Sequence, residues 1–357
     1  MNQERINAIR RVLSDNNLDA LIITDFFNRR YLSGFDGTSG ILLIGLERSF
    51  LITDFRYREQ ALSQAPLYEL KLWTEDLYRS ITPLFEKLNW GILGFEEKKI
   101  SYSQYRDMET KLPVKMVPVS DSVENLRCIK DNSELSLLRT GAKELDRGFD
   151  YLCSIIKPGM KEKELALELE FYLRRRGADE PAFKFIVASG KRGAMPHGAA
   201  GDKVMEPGEL VTIDFGMYYH GYATDMTRTV ALERVDDFQQ QIFDLVLKAQ
   251  EEAVAAVRPG VRGNEIDAVA RNIIKEAGYS DCFGHGLGHG VGLETHEQPT
   301  LNSRSETVLK PGMVVTVEPG IYIKDWGGIR IEDMVCVTKE GVEILTSSPR
   351  KLRILNN

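Results

Sequence analysis

The feature that most constrains this chain is a repeat inside its second part. Pro158-Gly159, Glu164, Leu165 and Gly177 return as Pro259-Gly260, Glu265, Ile266 and Gly278, each displaced by 101 positions. Further on, Pro207-Gly208 leads into VTIDFGMYY and Pro311-Gly312 into VVTVEPGIY. Val211-Thr212-Ile213-Asp214 thereby matches Val315-Thr316-Val317-Glu318 at a displacement of 104. Solenoid units repeat every ~20 to 50 residues, far more often than this. The spacing instead predicts two halves related by a pseudo-two-fold, each a set of helices followed by a strand hairpin. A site between the halves would draw equally on both.

The chain has 357 residues, above the ~250 to 300 at which one hydrophobic core stops growing, so a further domain is expected beside the repeat. In the first ~125 residues, short apolar runs (Ala20 to Ile23, Ile41 to Ile44, Phe50 to Ile52) alternate with segments of helical spacing such as INAIRRVLSDNNL. That alternation predicts an α/β layer domain. Pro113 and Pro118 bracket a short extended stretch. A long helix then begins near Asp131 or Ser133, with Asp131 and Glu134 in capping-box spacing. The expected division is 1–128 and 129–357. The triple arginine at 174 to 176 reads as a solvated helix face near a C-terminus.

Charge and cysteine usage narrow the function classes. Forty-six Lys plus Arg against 53 Asp plus Glu leave a net charge of -7, and no longer basic run than Arg174-Arg175-Arg176 occurs, so nucleic acid is not an expected partner. No window approaches the ~18 uninterrupted apolar residues of a membrane span, and the N-terminus lacks an apolar core after its charges. The expectation is a soluble, cytoplasmic protein. Cys128, Cys153, Cys282 and Cys336 show no CxxC spacing and fit reduced structural thiols.

The chemistry concentrates in four acids and a histidine-rich segment. Asp214 and Asp225 interrupt apolar strands, with a turn signal at Tyr219-His220-Gly221 placed so that the two face each other across a hairpin. Glu318 and Glu332 have the same arrangement about a turn at Lys324 to Gly328. At an effective dielectric near 20, like charges about 4 Å apart repel by roughly 4 kcal/mol, and burial adds to this. Cations must therefore sit among them. Two divalent ions match four carboxylates, and oxygen-rich ligation with one imidazole suits manganese, cobalt, iron or zinc. The imidazole is expected from FGHGLGHGVGLETHEQP, whose glycines at 284, 286, 288 and 290 weaken any helix and bring His285 and His289 close on a turning or extended backbone. A dinucleotide-binding reading fails, because the GxGxxG spacing is absent and no clean strand and helix flank the segment. Four of the five histidines (His197, His285, His289, His296) lie in this segment or in MPHG. His220 is assigned to its turn alone.

Taken together, TIDFGMYYHGYATD, GHGLGHGVGLETHE, VEPGIY and GGIRIED resemble the aminopeptidase P and prolidase family of dinuclear metallopeptidases. LDALIITDFFNRRYLSGFDGTSG and TDFRY extend the resemblance over the N-terminal part, hence over essentially the whole chain. It implies a creatinase-type α/β N-terminal domain followed by an α+β pita-bread catalytic domain. It implies Asp214, Asp225, His289, Glu318 and Glu332 as ligands of two divalent ions, manganese first among them. Catalytic or substrate-handling roles fall to His197, His285, His296, Glu318 and Arg330. The activity implied is hydrolysis of the N-terminal Xaa-Pro bond of dipeptides or short peptides by a metal-bridged hydroxide. Glu318 would carry a proton, His285 and His296 would steady the oxyanion or leaving residue, and His197 and Arg330 would bind the proline side. A homodimer is also implied.

Blander readings stand beside these. Asp214 or Asp225 alone suits a turn, Glu332-Asp333 a solvated pair, Arg330 an ion pair with a neighbouring acid, and His197 a loop. Competing functions are a methionine aminopeptidase, which shares the five ligands, a creatine-type amidinohydrolase, which does not need them, and a non-catalytic peptide-binding module.

Overall fold

The amphipathic N-terminal stretch forms helix α1 (Asn2–Asp15), which buries Ile6, Ile9 and Leu13, one per turn. The computed structural model describes residues 2–356 and divides into two compact units, Met1–Arg127 and Cys128–Asn357. In the first unit the three apolar runs become β1 (Ala20–Ile23), β2 (Ile41–Gly45) and β3 (Ser49–Thr53), buried at every position. Runs without alternation are what a sheet covered on both faces requires. Helices α2 (Phe26–Ser33), α3 (Arg58–Gln64), α4 (Leu77–Leu88), α5 (Tyr102–Lys111) and α6 (Glu124–Arg127) alternate with β4 (Glu69–Leu72), β5 (Ile92–Glu96) and β6 (Lys115–Val119). The sheet order is β4-β3-β2-β1-β5-β6, antiparallel at β1/β2 and β2/β3 and parallel elsewhere. Pro118 lies in the edge strand β6, where its missing N–H sacrifices no ladder bond.

The second unit opens with α7 (Asn132–Ile155). Asp131 Oδ1 accepts from the amides of Ser133 and Glu134, and Glu134 Oε2 accepts from the Asp131 amide, which is the expected capping box. The first half continues through α8 (Glu162–Arg175), β7 (Ile186–Ser189), β8 (Leu210–Phe215), β9 (Tyr218–Tyr219), β10 (Tyr222–Ala223) and β11 (Met226–Leu232). The second half comprises α9 (Asp237–Ala256), α10 (Gly263–Glu276), β12 (Gly288–Gly290), β13 (Glu297–Leu301), β14 (Val314–Val317), β15 (Gly320–Ile323), β16 (Gly327–Arg330) and β17 (Asp333–Val337), with β18 (Val342–Ile344) and β19 (Ile354–Leu355) following.

The repeat in sequence is a repeat in hydrogen bonds. The Gly159 amide donates to the Met205 carbonyl at 2.9 Å and the Gly260 amide to the Leu309 carbonyl at 3.0 Å. Glu164 accepts from the Lys161 amide at 3.0 Å, Glu265 from the Arg262 amide at 2.7 Å. Each half has its own core. In one, Leu145, Phe149, Leu165 and Leu169 of the helices pack on Val211, Ile213 and Val230. In the other, Val246, Ala249, Ile266 and Ala270 pack on Val315, Val317 and Val335. The sheet β19-β11-β8-β7 of the first half is joined through polar groups to the β15-β16 hairpin and to the approach to β17 in the sheet β13-β12-β14-β17-β18. Thr212 Oγ1 donates to the Gly328 carbonyl at 3.0 Å, Thr229 Oγ1 to the Arg330 carbonyl at 2.9 Å, and the Glu332 amide to the Thr227 carbonyl at 3.1 Å. The acids sit along this seam.

One expected detail is corrected. Asp214 pairs with Thr227 in the β8/β11 ladder, so Asp225 lies diagonally across from Asp214 and not opposite it. The reason is a small extra ladder, β9/β10, inserted at the tip, where His220 and Gly221 turn the chain at φ 48° and 74°. Among the described residues no helix is long and apolar enough to cross a membrane, and no cysteine is in a disulfide.

Candidate metal centre

Four carboxylates reach the seam from strand ends: Asp214 from β8, Asp225 just before β11, Glu318 just after β14 and Glu332 just before β17. The β14/β17 ladder ends at the pair Val317 and Asp333, which leaves Glu318 and Glu332 across from each other. Asp225 is 4% exposed and Glu332 1%. Burial raises the proton affinity of both well above the ordinary carboxylate range, and repulsion from Glu332, Asp214 and Glu318 on Asp225, and from Glu318 and Asp214 on Glu332, raises it further. Burial pushes Glu318 up as well. Asp214 Oδ1, Asp225 Oδ1 and Glu332 Oε1 are buried and have no hydrogen-bond partner among the described residues. Acceptors left unmet in this way are rare in folded proteins, because each forfeits its hydration.

His289 faces these oxygens. It sits in β12, whose two outer residues are glycines for a steric reason: a Cβ on Gly288 would come within 2.0 Å of the Thr316 carbonyl oxygen, and one on Gly290 within 2.3 Å of that of Gln298. The Nδ1 atom is 3.1 Å from the Gly290 carbonyl, which can only accept, so Nδ1 carries the proton. Burial lowers the imidazole's pKa and keeps the ring neutral. Its Nε2 lone pair therefore points at Glu318 Oε1, 3.4 Å away, and at Asp225 Oδ2, 3.8 Å away. Lone pair facing lone pair across such gaps is repulsive without a cation between them. Asp225, His289 and Glu332 each offer a ligand atom, all within 4.8 Å of one another. The residues present thus fit a divalent ion, with oxygen donors and one imidazole.

The remaining expected residues gather at the same place. A cavity of about 500 Å³ is lined by all nine: Asp214, Asp225, Glu318, Glu332, Arg330, His197, His285, His289 and His296. His220 does not line it. Arg330 is paired with Asp214 Oδ2 at 2.6 Å, and its other donors go to Thr227 Oγ1 (3.2 Å), the Pro196 carbonyl (3.2 Å) and the Tyr322 hydroxyl (2.7 Å). The ion-pair alternative is the geometry found, and the fork left for a substrate carboxylate is largely spent. His285 donates from Nδ1 to the Gly286 carbonyl at 2.8 Å, so its Nε2 accepts from Tyr322, 3.0 Å away. Burial lowers its pKa, as it does that of His296, whose ring lies 4.1 Å from the ring of His289.

Several supporting groups escaped the sequence reading. Tyr322 lies in the VEPGIY motif, which carried no assignment for its tyrosine; burial raises its pKa to about 12. Thr227 donates to Glu332 Oε2 at 2.6 Å, and Thr316 to Glu318 Oε1 at 3.2 Å. Behind Glu332, fully buried Arg228 donates to the Glu332 carbonyl and to Asp333, which Gln250 of α9 also holds. From α10, Arg271 donates to the carbonyls of Phe283 and His285 while Asp267 accepts from the Leu287 amide and from Arg271. That clamp fixes the glycine-rich segment at three backbone points. None of these partners has a sequence spacing that announces it.

Comparison with known proteins shows the family. The model of metallopeptidase family M24 matches residues 136–339, and that of the creatinase/prolidase N-terminal domain matches residues 5–129. The chain is 38% identical over 354 residues to an Xaa-Pro dipeptidase of Pyrococcus furiosus, covering 98% of this chain and 99% of that one. Among solved structures, an Xaa-Pro dipeptidase from Bacillus anthracis superposes with a TM-score of 0.97 at 44% identity, covering 99% of this chain and 100% of that one. An X-Pro aminopeptidase from Thermotoga maritima superposes with a TM-score of 0.89 at 38% identity, covering 95% and 98%.

Proposed function

We propose, from the premise that this chain belongs to metallopeptidase family M24 and carries a creatinase/prolidase N-terminal domain, that it is a metal-dependent exopeptidase. It cleaves the Xaa-Pro bond at the N-terminus of dipeptides or short peptides. Its architecture is the family's α/β domain followed by a pita-bread catalytic domain. The observation that carries the reading is the set of buried, partnerless carboxylate oxygens on Asp214, Asp225 and Glu332 beside the lone pair of neutral His289.

Asp214, Asp225, His289, Glu318 and Glu332 would hold two divalent ions. Such ions, when bound, lower the pKa of water and polarise a peptide carbonyl. The chain's own residues do the rest. Glu318 has a raised proton affinity and a single steadying donor, Thr316, which suits it to take a proton from the attacking water and deliver it to the departing prolyl nitrogen. His296 has a ring free to donate to the oxygen of the scissile carbonyl. His285 has both ring nitrogens engaged, so its part is to orient the Tyr322 hydroxyl, which Arg330 also fixes. Arg330 in turn holds Asp214, and His197 at the cavity wall is left to meet the proline side. The donor set accepts manganese, cobalt, iron or zinc; manganese as the first of these, a homodimer and a cytoplasmic setting rest on family resemblance.

The test is hydrolysis of an Xaa-Pro dipeptide by the purified protein with added manganese. Chelation, Asp225→Ala and His289→Ala are each expected to bring turnover to background while circular dichroism stays that of the folded chain. Turnover that survives any of the three rules the ligand assignment out.

A further inference from the structure

The catalytic cavity shares a wall with a neighbouring groove of about 470 Å³, and Phe183, Lys184 and Ala199 line both. Among the described lysines and arginines, only Lys184 and Arg330 line the cavity, and only Lys184 lines the groove. Arg330 is committed to Asp214, Thr227, Tyr322 and the Pro196 carbonyl. The acid on the groove wall, Glu170, is held by Arg174 at 2.8 Å. Among the described residues the Lys184 side chain has no hydrogen bond or ion pair. Arg330 is matched by Asp214, whereas Lys184 is exposed and unmatched, so its positive charge is available at the boundary between cavity and groove.

A prolyl residue with nothing after it ends in a carboxylate two bonds from the nitrogen that cleavage releases. In a dipeptide that negative charge must lie within the cavity, close to where the chemistry occurs. In a longer peptide the same position is a neutral amide, and the chain continues outward. An ammonium is a compact point charge with rotatable donors on a flexible stem, suited to a single carboxylate at a cavity wall. Resting on the function proposed above, we propose that Lys184 receives the free carboxylate of the prolyl residue and so sets a preference for Xaa-Pro dipeptides over amidated or longer substrates.

The experiment compares the manganese-loaded wild type with Lys184→Ala, Lys184→Arg and Lys184→Glu on three substrates: an Xaa-Pro dipeptide, its C-terminal amide, and an Xaa-Pro-Glu tripeptide amide. For the dipeptide, Lys184→Ala is expected to raise KM roughly fivefold to tenfold with kcat little changed, Lys184→Glu to raise it further, and Lys184→Arg to restore most of the loss. The amide should show the same KM in all four proteins. Equal effects on dipeptide and amide, no effect on either, or an effect confined to the glutamate tripeptide would overturn the inference while leaving the peptidase reading intact. Failure of the wild type to cleave any of the three would instead overturn that reading, and the inference with it.

Discussion

Asp225 has one carboxylate oxygen without a partner and the other 3.8 Å from a nitrogen that offers only a lone pair. In metal-free protein, Asp225 and Glu332 relieve this by holding protons, since both have proton affinities raised well above the usual range by burial and then by neighbouring carboxylates. The sign follows. A carboxyl whose folded pKa is raised contributes stability that is complete below its unfolded pKa, near 4, and is lost as pH rises through the folded value. Between about pH 5 and about pH 8, the melting temperature of chelated protein should therefore fall relative to that of manganese-loaded protein, whose ions hold the charged forms. Scanning calorimetry of both forms over that range should show the gap widening with pH, and Asp225→Asn should narrow it by stabilising the chelated form. A gap that is constant or shrinks contradicts the charge argument. At this scale the ligand candidates were legible because an acid inside an apolar run is conspicuous. Their supporting donors were not: Thr227, Thr316 and Tyr322 are ordinary strand residues until a distant strand places an oxygen beside them.

Its glycines make the segment from Phe283 too weak for a helix, and Gly288 to Gly290 form the strand β12. The sharper reason lies in a neighbour far along the chain. Gly288 is 2.0 Å from the Thr316 carbonyl oxygen once a Cβ is placed on it, and Thr316 also receives the His289 amide at 3.1 Å. An alanine there must push β12 from β14 and carry His289 with it. Gly288→Ala is expected to cost about 1 to 3 kcal/mol of stability, the usual range for overpacking, and to weaken metal binding at least about tenfold, as displaced support for a ligand does. Titration calorimetry with manganese reads the second effect, and unaltered affinity would show that β12 tolerates the shift. The β9/β10 ladder shows the limit of reading elements from turn signals. Tyr219-His220-Gly221 correctly marked a turn, but nothing nearby revealed that four residues would pair by themselves and set Asp225 diagonally from Asp214.

At the scale of the whole molecule, the duplication was the most legible feature, because both copies keep the same turns and capping contacts. The N-terminal α/β unit was legible too, its sheet being built from uninterrupted apolar runs. What no local pattern disclosed is the polar seam where Thr212, Thr229 and Arg228 tie one half to the other. Because the acids are delivered along that seam, losing the ions should loosen it selectively. Hydrogen exchange followed peptide by peptide is expected to show chelation deprotecting β8, β11, β12, β14 and β17 while β1, β2, β3 and β5 keep their protection. Uniform deprotection, or none, would contradict this.

The ladder between β8 and β11 has a further consequence. Asp214 stands between Ile213 and Phe215 and is held in step by six consecutive cross-strand pairs, so gaining or losing one residue within β8 would present hydrocarbon to the seam in place of an acid. The β9/β10 tip, lying beyond the last pair, can absorb the same change. Strands that deliver these acids are thus free to drift in composition but fixed in length, and viable insertions and deletions are confined to the tips.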